Sequence, residues 1–388
     1  MNEDRASRYH RLSRSARVLS VALGATLLLT LLASGGSLAL RHVAGFAAAR
    51  VASPPHLVRT VEVIAYVILV YALNELIELP LAFYRGYLLE TRYGLSRETA
   101  GGWLHDHLKA AALGLVFATT VALLIYHLMD LWPMWWWAIA AAILSAATIG
   151  LTNAAPVLLL PLFYTFTPLA RDALRARLID LASRAGAPVV GVYEWSLGQK
   201  TKKANAALTG LGRTRRILVS DTLLADYSDD EIEVILAHEL SHHIHHDIWA
   251  GIGCDAGLWV IGLYAAHRVL ATVGPSAGLQ GMADVAGLPL VVLGATAASL
   301  VLMPLTNAWS RAHELRADRD ALELTGNHAA FVSAMRRLGA QNLAEERPSR
   351  TVEVLFHTHP PIGRRIAAAE AWMRQRRESF SRRLSEAN

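Results

Sequence analysis

Long apolar blocks alternate with polar ones along this chain. Six apolar runs, at about residues 18–40, 61–82, 108–129, 134–160, 248–270 and 285–305, reach the ~20 residues that a helix needs to cross a hydrocarbon layer. The first is longer than a secretory signal core, so it reads as a span; the small residues at Ser37-Leu38-Ala39 are what a cleavage site would use. Residues 167–247 follow other periods. Charged and apolar residues alternate with a helical repeat over 169–185, and short β-type runs occupy 189–193, 205–210 and 216–220, the last two about a turn at 210–214. Ser228 followed three residues later by Glu231 is a capping box, and Ile232, Ile235 and Leu236 then keep helical spacing. This predicts a helix over 231–246 that runs almost without a break into the fifth apolar run. The expected fold is mainly α: a polytopic membrane helix bundle of about six spans with a small β-sheet. The expected division is 1–166, holding four spans, and 167–388, holding two more and a soluble helical region from 309 to 388.

Composition supports a membrane chain. Hydrophobic residues make up 53% and charged ones 18% of 388 residues, with mean hydropathy +0.31. Asn74, Glu75 and Glu78 lie inside the second run, where they need either a polar partner on another helix or a wet interior. Trp132, Trp135, Trp136 and Trp137 cluster between the third and fourth runs as interfacial anchors. The net charge of +5 comes mostly from arginines in loops and tail, and speaks for membrane orientation rather than nucleic acid. Basic residues crowd the N-terminus, the loop at 85–109, the 167–247 region and the tail, which sets all of these in the cytoplasm. Arg41, Arg50 and Arg59 dissent. The single cysteine, Cys254, excludes an internal disulfide and a cysteine-rich metal cluster.

The chemistry centres on His238-Glu239-Leu240-Ser241-His242. On a helix the two histidines differ by about 40° of rotation, so both imidazoles leave one face one turn apart and can reach one zinc ion. Glu239, about 100° further round, is set to take a proton from water at the metal rather than to bind it. A catalytic zinc needs a third protein ligand and one open position. Glu314, just past the sixth run, returns to the same membrane face as His242 and is the candidate; His313 points from a different part of the helix. Asp318, one turn on, can accept a hydrogen bond from a ligating histidine.

With these motifs, the chain resembles the type I CAAX prenyl endopeptidases, integral-membrane zinc proteases of the gluzincin class. The resemblance runs through Leu79–Tyr84, Glu90-Thr-Arg-Tyr-Gly-Leu-Ser96, 161–169, Asn205-Ala206, 216–224, the H-E-x-x-H, Glu314 with Asp318, and Thr358-His359-Pro360-Pro361 with Arg364 and Arg365. It implies one zinc per chain held by His238, His242 and Glu314, with Glu239 as base and then acid. It also implies that Asn205, His359 and Arg365 bind substrate, His359 also steadying the oxyanion. The implied partners are membrane lipid and a peptide or protein, lipidated or membrane-associated, with no nucleic acid; the implied interior is a large chamber. Six runs are present where eukaryotic members have seven spans, and Ala207 stands where an aromatic is common. Two other readings share the zinc motif. One is an HtpX-like quality-control protease, which lacks a segment like 90–96. The other is a membrane protein with a structural zinc, for which Glu239 has no use.

Overall fold

The computed structural model describes residues 4–210 and 214–386; the middle of the expected turn, 211–213, lies outside the described residues. Helices dominate. The membrane half consists of α1 (Arg5–Ala33), α2 (Gly36–Val51), α3 (Pro55–Phe83), a π-helical turn (Tyr84–Leu88) leading into the short α4 (Leu89–Arg92), α5 (Ala100–Leu131) and α6 (Trp136–Leu158). Next come β1 (Phe166–Pro168), α7 (Asp172–Arg184), β2 (Gly191–Trp195), β3 (Ala206–Thr209), β4 (Arg216–Ser220) and α8 (Asp221–Asp226). The chain then forms α9 (Asp229–Ile244), α10 (Asp247–Val273), α11 (Leu288–Thr325), α12 (His328–Gln341), α13 (Arg350–Phe356) and α14 (Ile362–Glu386). Among the described residues six helices are long and apolar enough to cross a membrane.

The first connection differs from a simple loop. Ser20 donates to Glu78 at 2.5 Å, Gly24 faces the Asn74 side chain, Ser37 bonds Tyr66 at 2.6 Å, and Gly45 lies by Glu62. Contacts descend α3 as they ascend α1 and then α2. So α2 continues α1 past a break at Gly35, whose φ of 73° suits a residue without Cβ. This carries Arg41 out to pair with Asp284, while Arg59 at the start of α3 pairs with Glu62 at 3.1 Å and Asp130 at 3.4 Å. Two of the three dissenting arginines are thereby neutralised by acids of the same face. The intramembrane acids have partners on other helices: Glu75 binds His107 at 2.5 Å, and Glu78 accepts from Ser20. Trp132 and Trp135 are exposed as anchors should be, but Trp136 is fully buried and donates to His267 Nδ1 at 3.1 Å, so packing rather than the interface holds it.

The outer half is a second core. The sheet runs β1-β2-β4-β3, with β2 and β4 parallel and the other pairs antiparallel, leaving one side of β3 unpaired among the described residues. Leu174, Leu178 and Leu181 of α7, at helical spacing, meet Ile217 and Val219 of β4 and Ile232, Leu236 and Leu240 of α9, all nearly inaccessible to solvent. Burying a leucine or isoleucine in this way is worth about 1.5–3 kcal/mol, and here it fixes α9 against the sheet. The capping box forms: Ser228 accepts from Glu231 N–H, and the Glu231 carboxylate accepts from Ser228 N–H at 2.8 Å and from Ser333 Oγ at 2.6 Å. The passage from α9 to α10 is broken, contrary to the near-continuous helix expected. His245 ends α9, and His246 adopts φ 56°, ψ 30° before α10 begins at Asp247.

Candidate active site

Three elements bring the site together. His238 and His242 leave one face of α9, and α11, antiparallel beside it, carries Glu314. One ligand atom from each of these three residues lies within 4.8 Å of the others. Glu314 Oε2 is 3.3 Å from His238 Nε2, and Glu314 Oε1 is 3.5 Å from His242 Nε2 and 3.3 Å from His359 Nε2. Both histidines spend the other ring nitrogen on a carboxylate. His238 Nδ1 donates to Asp318 and His242 Nδ1 to Asp247, each at 2.9 Å. That fixes the tautomer and aims both Nε2 lone pairs inward, as metal-ligating imidazoles are held.

The electrostatics suit a cation. Burial disfavours charge on His238, but its hydrogen bond to Asp318 and the Glu314 carboxylate 3.3 Å from its Nε2 outweigh that and hold the ring's pKa at about 9. The two buried carboxylates beside the imidazoles make this a place that favours positive charge. Glu314 Oε2 is buried without a hydrogen-bond partner, an open acceptor of the kind a metal satisfies. The donor set, two imidazoles and a carboxylate, is that of a catalytic rather than a structural zinc. Glu239 lies outside this set on the same cleft, and burial pushes its carboxyl above the usual range. His313 points away and pairs with Asp247 at 2.9 Å.

The cleft measures about 420 Å³. Asn205 and Ala206, at the start of β3, form one wall with Glu239 behind them; Thr358–Pro361 and the N-terminal part of α1 form the other. His359 is exposed, and burial of its surroundings lowers its pKa. Arg365, which the resemblance assigns to substrate, lines the cleft and is itself buried. Its Nε and Nη2 donate to the two Asp318 oxygens at 2.8 and 2.5 Å, so its guanidinium holds the acid that holds His238. Sequence reasoning missed three participants. Asp247 lies five residues past His242, about 140° away on a continuous helix, and only the break at His246 folds it back. His10 and Arg17 of α1 line the cleft from more than 200 residues upstream, with no local signal to mark them.

A membrane helix bundle that carries a His–His–Glu group at one mouth, with a second acid, Glu239, beside it, defines an integral-membrane metalloendopeptidase. The chain belongs to peptidase family M48, whose family model matches residues 168–373. Residues 3–165 match a second model, described as CAAX prenyl protease N-terminal, five membrane helices. In this chain that stretch holds four of the six long apolar helices and the shorter α2. An uncharacterized metalloprotease of Bacillus subtilis, YhfN, is 30% identical over 80% of this chain and 74% of its own length. CAAX prenyl protease 1 of Saccharomyces cerevisiae is 31% identical over 48% of this chain and 42% of its own. The crystal structure of S. mikatae Ste24p shares the fold, with a TM-score of 0.81 at 22% identity over 94% of this chain and 88% of that one.

Proposed function

We propose that this chain is a zinc endopeptidase that cuts peptides carrying a lipid-modified end, with its site open to the cytoplasm. The observation that carries the reading is the double carboxylate support of the histidines, which turns both Nε2 atoms toward Glu314 while leaving Glu239 outside the set. One zinc ion would be held by His238, His242 and Glu314, and the chemistry it supplies when bound is Lewis acidity toward water and toward a carbonyl. Glu239 takes the proton of the attacking water and returns it to the leaving amine; its raised pKa suits both halves of that transfer. The open edge of β3 offers backbone groups to an extended peptide, and Asn205 at its start supplies an amide to the substrate backbone. His359 donates to the oxygen on which charge develops. Asp318 and Asp247 keep the histidines oriented, and Arg365 keeps Asp318 in place.

Lipidated substrates are supported by the names of the relatives, CAAX prenyl proteases, and by a cleft set directly above membrane-spanning helices. The cytoplasmic direction is supported by the arginine-rich loops on the cleft's side. The test is cleavage by purified protein of paired peptides, farnesylated and unmodified, with and without a zinc chelator. The expected result is cleavage that chelation stops and zinc restores, faster for the farnesylated peptide. Equal rates on the two peptides would remove the lipid preference, and chelator-insensitive cleavage would remove the zinc.

A further inference from the structure

A second polar hollow lies away from the catalytic cleft, where the end of α6 meets the outer face of the sheet. Strand alternation creates it. Ile217 and Val219 of β4 face the core, so Arg216 and Leu218 face the other way. Arg216 sits in register between Gly191 of β2 and Thr209 of β3. Its Nε is buried without a hydrogen-bond partner, and the contact it does make is with the face of Tyr193, 5.6 Å from the ring centroid. Arginines of neighbouring α7 behave differently: Arg175, Arg177 and Arg184 each pair with an acid. Among the described residues no acid pairs with Arg216, and a half-buried guanidinium without a counter-charge costs free energy unless something supplies the anion.

The hollow, about 420 Å³, is walled by Val157 and Pro161 from the membrane side and by Tyr164, Tyr193, Thr209 and Arg216 from the sheet side. Val157, Leu158 and Leu162, exposed by 47, 65 and 48%, continue the apolar wall down the outside of the fourth span. That span ends at Leu162, so the hollow lies just past the end of an apolar helix long enough to cross a membrane, where headgroups are expected.

We propose that this hollow binds the phosphate headgroup of an anionic membrane lipid, such as phosphatidylglycerol. The Arg216 fork grips the phosphate, the hydroxyls of Tyr164, Tyr193 and Thr209 surround it, and an acyl chain lies along Val157 and Leu158. Guanidinium geometry matches phosphate oxygens two at a time, and aromatic rings at this depth sit beside headgroups. The apolar continuation selects a lipid over a free phosphate. The proposal is independent of the proteolytic reading, and needs only that the chain spans a membrane.

Native mass spectrometry of the detergent-purified full chain tests it. Wild type is expected to retain phosphatidylglycerol in preference to phosphatidylcholine, and inorganic phosphate is expected not to displace it. Arg216→Ala should retain it about tenfold less or worse, as loss of a charge-assisted hydrogen bond implies, while Arg216→Lys should fall between. Retention by Arg216→Ala at the wild-type level, equal retention of the two lipids, or displacement by inorganic phosphate would each overturn the proposal. A measurement on the unaltered chain guards against misfolded variants. In phosphatidylcholine nanodiscs, adding phosphatidylglycerol should slow amide exchange in 206–209 and 216–220, and unchanged exchange there would count equally against it.

Discussion

A carboxylate beside a metal group can act on the metal or on the water, and a single atom separates the two tasks. Glu239→Gln keeps the shape of the side chain and removes its basicity. The expected outcome is retained metal with cleavage reduced by about 10²–10⁴-fold, the range for a general acid–base group. Metal analysis beside a peptide assay checks it, and near-normal turnover would place the base elsewhere. Glu314→Ala should lose the metal, because it removes the oxygens that both imidazoles face, whereas His313→Ala should keep it, since that ring pairs with Asp247. Stoichiometric metal in purified Glu314→Ala would require a different third ligand. Asp247→Asn leaves every direct ligand in place but weakens the grip on His242 Nδ1. Support of this kind is typically worth about 10–100-fold in metal affinity, so a competition titration with a chelator should show a loss of that size. An unchanged affinity would make the contact incidental.

Between elements, the break at His245–His246 matters most. His246 holds φ 56°, a region glycine enters freely and a β-branched residue resists. His246→Gly should therefore preserve metal content and thermal stability. His246→Ile should lower stability by about 1–2 kcal/mol and loosen the metal, because a left-handed β-branched residue pulls Asp247 out of reach. Equal behaviour of the two variants in thermal unfolding would mean that the turn is not constrained. The same break marks the limit of what the sequence discloses. The H-E-x-x-H, the capping box at Ser228 and the return of Glu314 after an antiparallel pair of spans are all local patterns, readable from spacing. Asp247 is not, because its usefulness depends on a reversal of backbone direction that no turn residue announces: His246 is neither Gly nor Asn. Arg365 reads as a substrate ligand from its neighbours Thr358–Pro361, and only burial against Asp318 reveals its other task. The strand β1 is three residues long and ends in Pro168, too short to produce an alternation. The continuation of α1 by α2 was hidden because Arg41 and Arg50 read as loop charges, whereas Arg41 has an acid partner on a distant turn.

For the whole molecule, the near face gathers the N-terminus, the sheet and the tail, and the far face gathers the α2–α3, α5–α6 and α10–α11 turns. With Cys254 replaced, cysteines at Ser7, Ser228 and Ser349 should react with an impermeant thiol reagent only after cells are opened, and one at Ser276 should react in intact cells. The opposite pattern would invert the topology. One further consequence belongs to α11. This helix runs 38 residues from Leu288 in the bundle to Thr325 beside α9, with Pro304 inside it, and Glu314 rides on it about 14 Å beyond residue 305. The carboxylate that completes the His–His–Glu group is therefore carried on a helix that begins inside the bundle. A helix meeting a thinner hydrocarbon layer leans to hide its excess length, and a lean about the bundle swings the far end through the largest arc. Turnover of the enzyme is therefore expected to depend on bilayer thickness. Reconstituted into a series of phosphatidylcholines of increasing acyl length, its turnover should pass through a maximum and fall on either side with metal content unchanged. A flat profile would mean that α9 and the sheet hold Glu314 against the membrane's pull.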